Sequence, residues 1–534
     1  MAGEILILPF FGQGHLFPCV ELCKHLVARG FNATLIIRSS VFSSIPASVR
    51  ENPKIRILEV DHSGGGGQTG QPTSTAESGP QKMMMFKDMH RKMDSGIEGL
   101  LAERYGRLQP KPICAVIDLM MWSTKEVFGK LGIPTVAFQT SGACGAAIEH
   151  CMWKAGLKED EINPGETRVL PGLPEEMAVT YYELKRKPGG PGFGHGPPGG
   201  APGGGPPPFG AGPPGVPVPL GFEGGPPGGM PGFGGGRGGK FGKPKLGEEP
   251  QWIREVEGSI GLLINTCDEL EHPFLEYLSV NFELPVWGVG PLLPEDYWKS
   301  SGKLIHDGKL RANKKSNYSE DEVVEWLNSK PRASVLYVSF GSEVNPTNEE
   351  YAQLASALGE SDRPFIWVLQ ENAGKPGPPP ALTGRSANEE ESEGYFPHDL
   401  ASKVGKRGLI IKGWAPQLMI LSHPATGGFL SHCGWNSSAE AIGRGIPFLA
   451  WPIRGDQFHN AKMIVCLLKT GYMVSDDFSQ SVEKEQIAKG IELLMSDEEM
   501  KKRAEAIATR FEKGFPASSV AALDAFRDFI ISHK

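Results

Sequence analysis

Glu4-Ile5-Leu6-Ile7-Leu8-Pro9-Phe10-Phe11-Gly12-Gln13-Gly14-His15 is the stretch on which the fold turns. The apolar run Ile5–Leu8 predicts a buried strand, and the glycine turn after it leads into an apolar helix over Cys19–Val27. Arg29-Gly30 stops that helix, and Asn32–Ile37 supplies a second strand. Strand, helix and strand joined by short turns make a parallel βαβ unit. Working outward, Ile55–Val60, Ile113–Ile117 and Thr135–Phe138 are further buried-strand candidates. A helix around Ser123–Leu131 ends at Gly132-Ile133-Pro134. The first part of the chain is therefore expected to be an α/β, doubly wound sheet.

Strand signals return at Gly261–Asn265 and Val286–Gly290, and the polar stretch Tyr297–Ser319 is expected to link two domains. A second α/β set follows, with strands at Ser334–Phe340, Phe365–Leu369, Gly408–Ile411, Gly428–Leu430 and Pro447–Trp451. Two doubly wound domains in tandem form a cleft in which the carboxyl ends of both sheets can face each other. Between about residues 189 and 243 the pattern collapses into Gly, Pro and Phe. This accounts for Gly 70 and Pro 46 in the whole chain, an excess over usual frequencies of about 7% and 5%. Such a stretch cannot bury enough apolar surface to offset its ordering entropy, and a disordered loop is expected. Gly234-Gly235-Gly236-Arg237-Gly238-Gly239 also has the look of an RGG element, and the prolines of a polyproline ligand.

Length and composition agree with this plan. The 534 residues are too many for one ordinary core and suit two domains. Hydrophobic content of 39% and charged content of 22% are those of a globular chain. A net charge of -8 argues against a nucleic-acid partner, whose binders usually carry a basic face. No segment approaches the roughly 20 apolar residues of a membrane span. Glu4 stands where a signal peptide would carry a basic residue, so the first apolar run is taken as a strand. Eight cysteines without paired spacing suit reduced thiols and a cytoplasmic location.

The region Trp414 to Gln457 contains Trp-Ala-Pro-Gln at 414–417 and His423, followed by Gly427-Gly428-Phe429. Ser431-His432-Cys433-Gly434-Trp435-Asn436-Ser437, Glu440, Gly445-Ile446-Pro447, Trp451-Pro452 and Asp456-Gln457 complete it. It closely resembles the 44-residue signature box of plant secondary-product UDP-glycosyltransferases (family 1). Gly14-His15-x-x-Pro18, Ile117-Asp118, Leu170-Pro171-Gly172-Leu173-Pro174 and Val338-Ser339-Phe340-Gly341-Ser342 extend the resemblance over nearly the whole chain. It implies the GT-B architecture of two Rossmann-like domains facing across a cleft. Residues 1–290 would bind the acceptor, 291–320 would link, 321–515 would bind the UDP-sugar, and a helix in 516–534 would pack back on the first domain.

The resemblance also implies roles. Trp414 would stack on uracil beside Ala415 and Gln417, as an aromatic plane suits a base. His432 and Ser342 would hold the diphosphate, helped by a helix beginning near Asn436-Ser437, whose free amides and positive dipole end favour phosphate. Glu440 has two readings: a capping box Ser437-x-x-Glu440, or a partner for the ribose hydroxyls. Trp435, Asp456 and Gln457 would contact the sugar, Gln457 favouring glucose, with Thr140 a further sugar contact. Cys433 reads as a buried, inert thiol.

His15 starts the first helix at the cleft end of the sheet, where the helix dipole should disfavour imidazolium and keep a general base neutral. Asp118 closes a neighbouring strand and would orient the ring. The expected reaction is an inverting displacement moving glucose from UDP-glucose to a hydroxyl of a small lipophilic acceptor, such as a flavonoid or other phenolic. Preorganised dipoles meet the leaving charge, so no metal and no cofactor beyond the donor substrate is expected, and the chain is expected to be a monomer. The alternative is a non-catalytic scaffold on the same frame, using the Gly/Pro insert for binding.

Overall fold

A computed structural model describes residues 3–60, 93–105, 110–158, 162–185, 247–300, 305, 315–371, 373–374 and 394–533. The Gly/Pro-rich stretch 189–243 and part of the expected linker lie outside the described residues. The first sheet contains β1 (Glu4–Leu8), β2 (Asn32–Arg38), β3 (Ile55–Val60), β4 (Cys114–Asp118) and β5 (Thr135–Gln139). A small antiparallel hairpin, β6 (Thr167–Arg168) with β7 (Val179–Thr180), precedes its last two strands, β8 (Leu262–Ile264) and β9 (Val286–Gly288). The order is β3-β2-β1-β4-β5-β8-β9, parallel throughout.

The second sheet contains β10 (Val335–Ser339), β11 (Phe365–Leu369), β12 (Gly408–Lys412), β13 (Thr426–Ser431), β14 (Phe448–Ala450) and β15 (Gly471–Met473). Its order is β12-β11-β10-β13-β14-β15, again parallel. The two sheets are Rossmann-like units. In each, the strand order reverses beside the first strand, between β1 and β4 and between β10 and β13. Loops leaving the carboxyl ends of such neighbours diverge to opposite faces and open a crevice.

The central strands are buried on both faces, as parallel strands covered by crossover helices must be. Ile5 and Ile7 pack with Val20 and Leu26 of the helix Gln13–Ala28. Leu6 and Leu8 pack on the other face with Met93, Ile97 and Leu101 of a helix at 93–104. That first helix begins six residues before the apolar stretch that suggested it. It contains Pro18 and carries His15 in its first turn.

The expected linker does not begin in solvent. Tyr297 and Trp298 lie on the helix Glu295–Lys299 and are buried. The Tyr297 hydroxyl donates to the Glu440 carbonyl at 2.7 Å, and the Arg444 guanidinium covers its ring. Polar neighbours in the sequence concealed this anchor.

The helix Ala517–Ser532 returns to the first sheet. Phe526 meets Trp287 of β9 with ring centroids 5.4 Å apart, and Arg29 Nε donates to Asp524 at 2.9 Å. The chain around 189–243 departs and re-enters at fixed points. Lys462 Nζ, nearly buried, donates to both Glu183 oxygens at 2.7 Å. Gly247 has a φ of +77°, and a Cβ there would stand 2.2 Å from the Leu157 carbonyl oxygen.

Phe526 is 0% exposed, so truncation should leave a cavity. Phe526→Ala is expected to cost about 3–5 kcal/mol and to lower the melting temperature in a thermal scan. An unchanged melting temperature would show that this helix does not stabilise the first unit.

Candidate active site

The two crevices face one another and form one cleft. His15 follows β1, Asp118 ends β4, Ser342 follows β10, and His432 follows β13. His15, Thr140, Ser342, Trp414, Ala415, Gln417, His432, Trp435, Asn436, Ser437, Glu440, Asp456 and Gln457 all line it. Asp118 stands behind His15 and is 1% exposed.

His15 Nδ1 lies 2.7 Å from Asp118 Oδ2. A carboxylate only accepts, so Nδ1 carries a proton whatever the ring's charge, and Nε2 is the nitrogen that gains or loses one. The other Asp118 oxygen accepts from the Met120 amide at 2.9 Å, which fixes the carboxylate in turn. The Thr140 hydroxyl sits 2.9 Å from the same imidazole nitrogen. Thr140 therefore touches the ring of His15, a contact the resemblance did not supply.

The helix-dipole expectation for His15 is overturned. Burial does pull its pKa down, but the Asp118 charge and hydrogen bond, then Glu343 and Asp456, raise it from 6.5 to about 9. A partial dipole charge loses to three carboxylates. The ring therefore holds its proton at neutral pH.

His432 goes the other way. Burial leads, Arg454 adds to it, and a backbone hydrogen bond at Ser339 opposes it, leaving a pKa of about 4. The ring is wedged between glycines: a Cβ on Gly341 or Gly434 would lie 2.7 or 2.4 Å from Nε2. Cys433 adopts a φ of +60° with its thiol buried, and burial pushes its pKa far up, so no thiolate forms there.

The helix Trp435–Ile442 starts at Gly434, which has no capping side chain. Ser437 is thus its third residue, and the capping-box reading of Ser437 and Glu440 fails. Glu440 Oε2 accepts from Gln417 Nε2 at 2.6 Å; the same nitrogen donates to Ser437 Oγ, and Tyr337 donates to Gln417 Oε1. This network braces Gln417 beside Trp414.

Several box residues join the two units. The Trp435 indole N–H donates to the Asn265 carbonyl. Asn265 Nδ2 donates to the Thr140 carbonyl and its Oδ1 accepts from the Leu292 amide. Ser141 donates to Asp456 Oδ2 at 2.6 Å. Asn436 Nδ2 donates to the Gly14 carbonyl at 2.8 Å. Pro18 explains that last bond, because it has no amide to offer the carbonyl four residues back. Gln457 Oε1 accepts from the Ile453 and Arg454 amides, holding the turn that carries Asp456.

Two residues that sequence reading passed over stand out. Glu343 lines the cleft directly after Ser342, and Arg454 Nη2 lies 3.6 Å from Glu343 Oε2. An acid placed immediately after Val338-Ser339-Phe340-Gly341-Ser342 was the available signal. His150 is 1% exposed and packs on Tyr277, with Nδ1 3.1 Å from its hydroxyl.

Two Rossmann-like units facing across one cleft make this a GT-B fold. The family model for UDP-glucuronosyl and UDP-glucosyl transferases matches residues 296–520. UDP-glycosyltransferase 73C3 of Arabidopsis thaliana is 26% identical over 515 residues, covering 92% of this chain and 88% of that one. UDP-glycosyltransferase 73E1 of Stevia rebaudiana is 27% identical, covering 93% and 88%. Among solved structures, Glycyrrhiza uralensis UGT73P12 aligns with a TM-score of 0.69 at 23% identity, covering 100% of this chain and 96% of that one. Medicago truncatula UGT71G1 aligns with a TM-score of 0.64 at 21% identity, covering 99% and 98%. Along most of its length the chain is similar to plant family 1 UDP-glycosyltransferases, and it is a UDP-dependent glycosyltransferase. Among the described residues, no helix is long and apolar enough to cross a membrane.

With a His15 pKa of about 9, the deprotonated ring is roughly 1% of the total at pH 7. For an aliphatic alcohol acceptor, which does not itself titrate, kcat/KM is expected to climb between pH 7 and 9 and then level. A profile already flat from pH 6 would contradict a proton-holding His15.

Proposed function

We propose that this enzyme transfers glucose from UDP-glucose to a hydroxyl of a small lipophilic acceptor, a flavonoid or another phenolic, by a single inverting displacement. The observation that carries this reading is a His15–Asp118 pair, with Asp118 engaging Nδ1 and leaving Nε2 to exchange a proton with the acceptor, in the same cleft as Trp414. His15 Nε2 takes the acceptor proton, Asp118 stabilises the imidazolium, and the acceptor oxygen attacks the anomeric carbon. UDP departs towards Ser342, neutral His432 and the amides opening the helix Trp435–Ile442. Trp414 stacks on uracil, Ala415 and Gln417 flank it, and Glu440 meets the ribose. Trp435, Asn436, Asp456, Gln457 and the Thr140 loop surround the sugar.

Electrostatics support a neutral hexose over a uronic acid. Glu343 and Asp456 both face the His15 side of the cleft, and a uronic acid's carboxylate would be repelled there. The solved neighbours include UGT71G1 with UDP-glucose and Phytolacca americana UGT2 with a fluorinated UDP-glucose and pterostilbene, which favours the same donor and a flat phenolic acceptor.

In this reading residues 1–290 hold the acceptor, 291–320 join the domains, 321–515 hold the donor and 516–534 return to the first domain. No cofactor beyond the donor is required. Eight unpaired cysteines suit the reducing cytoplasm and a monomer without intermolecular disulfides.

Incubation with a phenolic panel and UDP-glucose, UDP-galactose or UDP-glucuronate, read by mass spectrometry, tests the assignment. A gain of one hexose is expected, with kcat/KM for UDP-glucose about tenfold or more above the others; a preference for UDP-glucuronate would overturn the donor. His15→Ala is expected to lower kcat by about 10²–10⁴ while calorimetry finds UDP affinity unchanged. Full turnover in that variant would remove His15 as the base.

A further inference from the structure

Glu343 belongs to the loop after β10, yet its carboxylate reaches the opposite unit. A Cβ placed on Gly12 would stand 2.2 Å from Glu343 Oε1 and 3.3 Å from His15 Cδ2, so only a glycine leaves room for that oxygen beside the ring. Gly12 is also the uncapped start of the helix Gln13–Ala28, where amides without helical partners favour a negative group. The other Glu343 oxygen faces Arg454 Nη2 at 3.6 Å. Glu343 and Arg454 are 26% and 33% exposed, so both are only partly screened by solvent.

The charged groups around the His15 ring come from three elements. Asp118 holds Nδ1 from the end of β4. Asp456 approaches from the turn before the helix Gln457–Lys462, tied to Ser141 and Asn460. Glu343 approaches from the phosphate loop, with Arg454 as its counter-charge. The first is on the acceptor unit; the other two are on the donor unit.

We propose that Glu343 is a positioning residue which acts on the His15 base across the cleft, its carboxylate held between Gly12 and Arg454 so as to favour the protonated imidazole when the two units are together. This rests on the reading of His15 as the base. During transfer the acceptor O–H proton passes to Nε2, the new bond forms to the anomeric carbon, and the electron pair leaves with UDP. Glu343 takes no atom in that step. It stabilises the imidazolium that results, and at neutral pH it lowers the share of free base beforehand. Arg454 limits the effect by drawing the carboxylate towards itself.

The test is the pH profile of kcat/KM for an aliphatic alcohol acceptor, together with an NMR titration of the His15 Cε1–H signal, in the wild type, Glu343→Gln, Glu343→Asp and Arg454→Gln. In Glu343→Gln both midpoints are expected to fall by about one unit, raising kcat/KM at pH 7. Glu343→Asp should restore part of the shift, and Arg454→Gln should move the midpoints upward. Superimposable titrations of Glu343→Gln and the wild type, with UDP affinity retained, would overturn the proposal. The NMR titration needs no turnover and decides the matter even in a poorly active variant. Retained transfer by His15→Ala would instead remove the base assignment and leave the titration result standing.

Discussion

Pro18 makes the first helix incomplete, and the second unit completes it. The Gly14 carbonyl has no helical amide to accept from, and Asn436 donates to it from across the cleft. The bond fixes the first turn of one unit against the first turn of a helix in the other. His15 lies one residue after that carbonyl, and Asn436 sits within the first turn of Trp435–Ile442. The distance between His15 and the start of the helix Trp435–Ile442 is therefore set by backbone and one amide side chain rather than by flexible surface contacts. The Trp435–Asn265 bond and the Ser141–Asp456 bond repeat the arrangement at two further points.

Much of the fold was legible because parallel strands announce themselves as short apolar runs. Phe365–Leu369 was bounded without error and most of the others within one or two residues. What failed to show was set by tertiary context. Tyr297 and Trp298 lie in a polar stretch and are buried only because Arg444 and the helix carrying Glu440 come to meet them. Gly471–Met473 is three residues long and has no periodicity to detect. The resemblance named residues that all come to one cleft, but several spend their polar atoms on one another: Gln417 on Glu440, Trp435 on Asn265, Gln457 on its own turn.

The electrostatics of the cleft could not be inferred from any local motif. A helix start beside His15 suggested a neutral ring, whereas the protein surrounds that ring with acids drawn from both units. The neighbouring His432 is neutral because it is buried and has Arg454 nearby. Two histidines on facing rims are thus held in opposite charge states, and each state depends on residues contributed by the other loops of the cleft. Sequence distance hides such dependence: Glu343 and His15 are hundreds of positions apart.

The anchoring of Glu183 by Lys462, and of Gly247 against Leu157, has a bearing on chain length. With both ends of an excursion clamped to the body, the cost of closing it grows only with the logarithm of its span, about 0.6 kcal/mol for each doubling. Dozens of residues can thus be accommodated between these two clamps at a thermodynamic penalty smaller than that of one misplaced core side chain. Length added between these two clamps is therefore cheap for the folded body to accommodate.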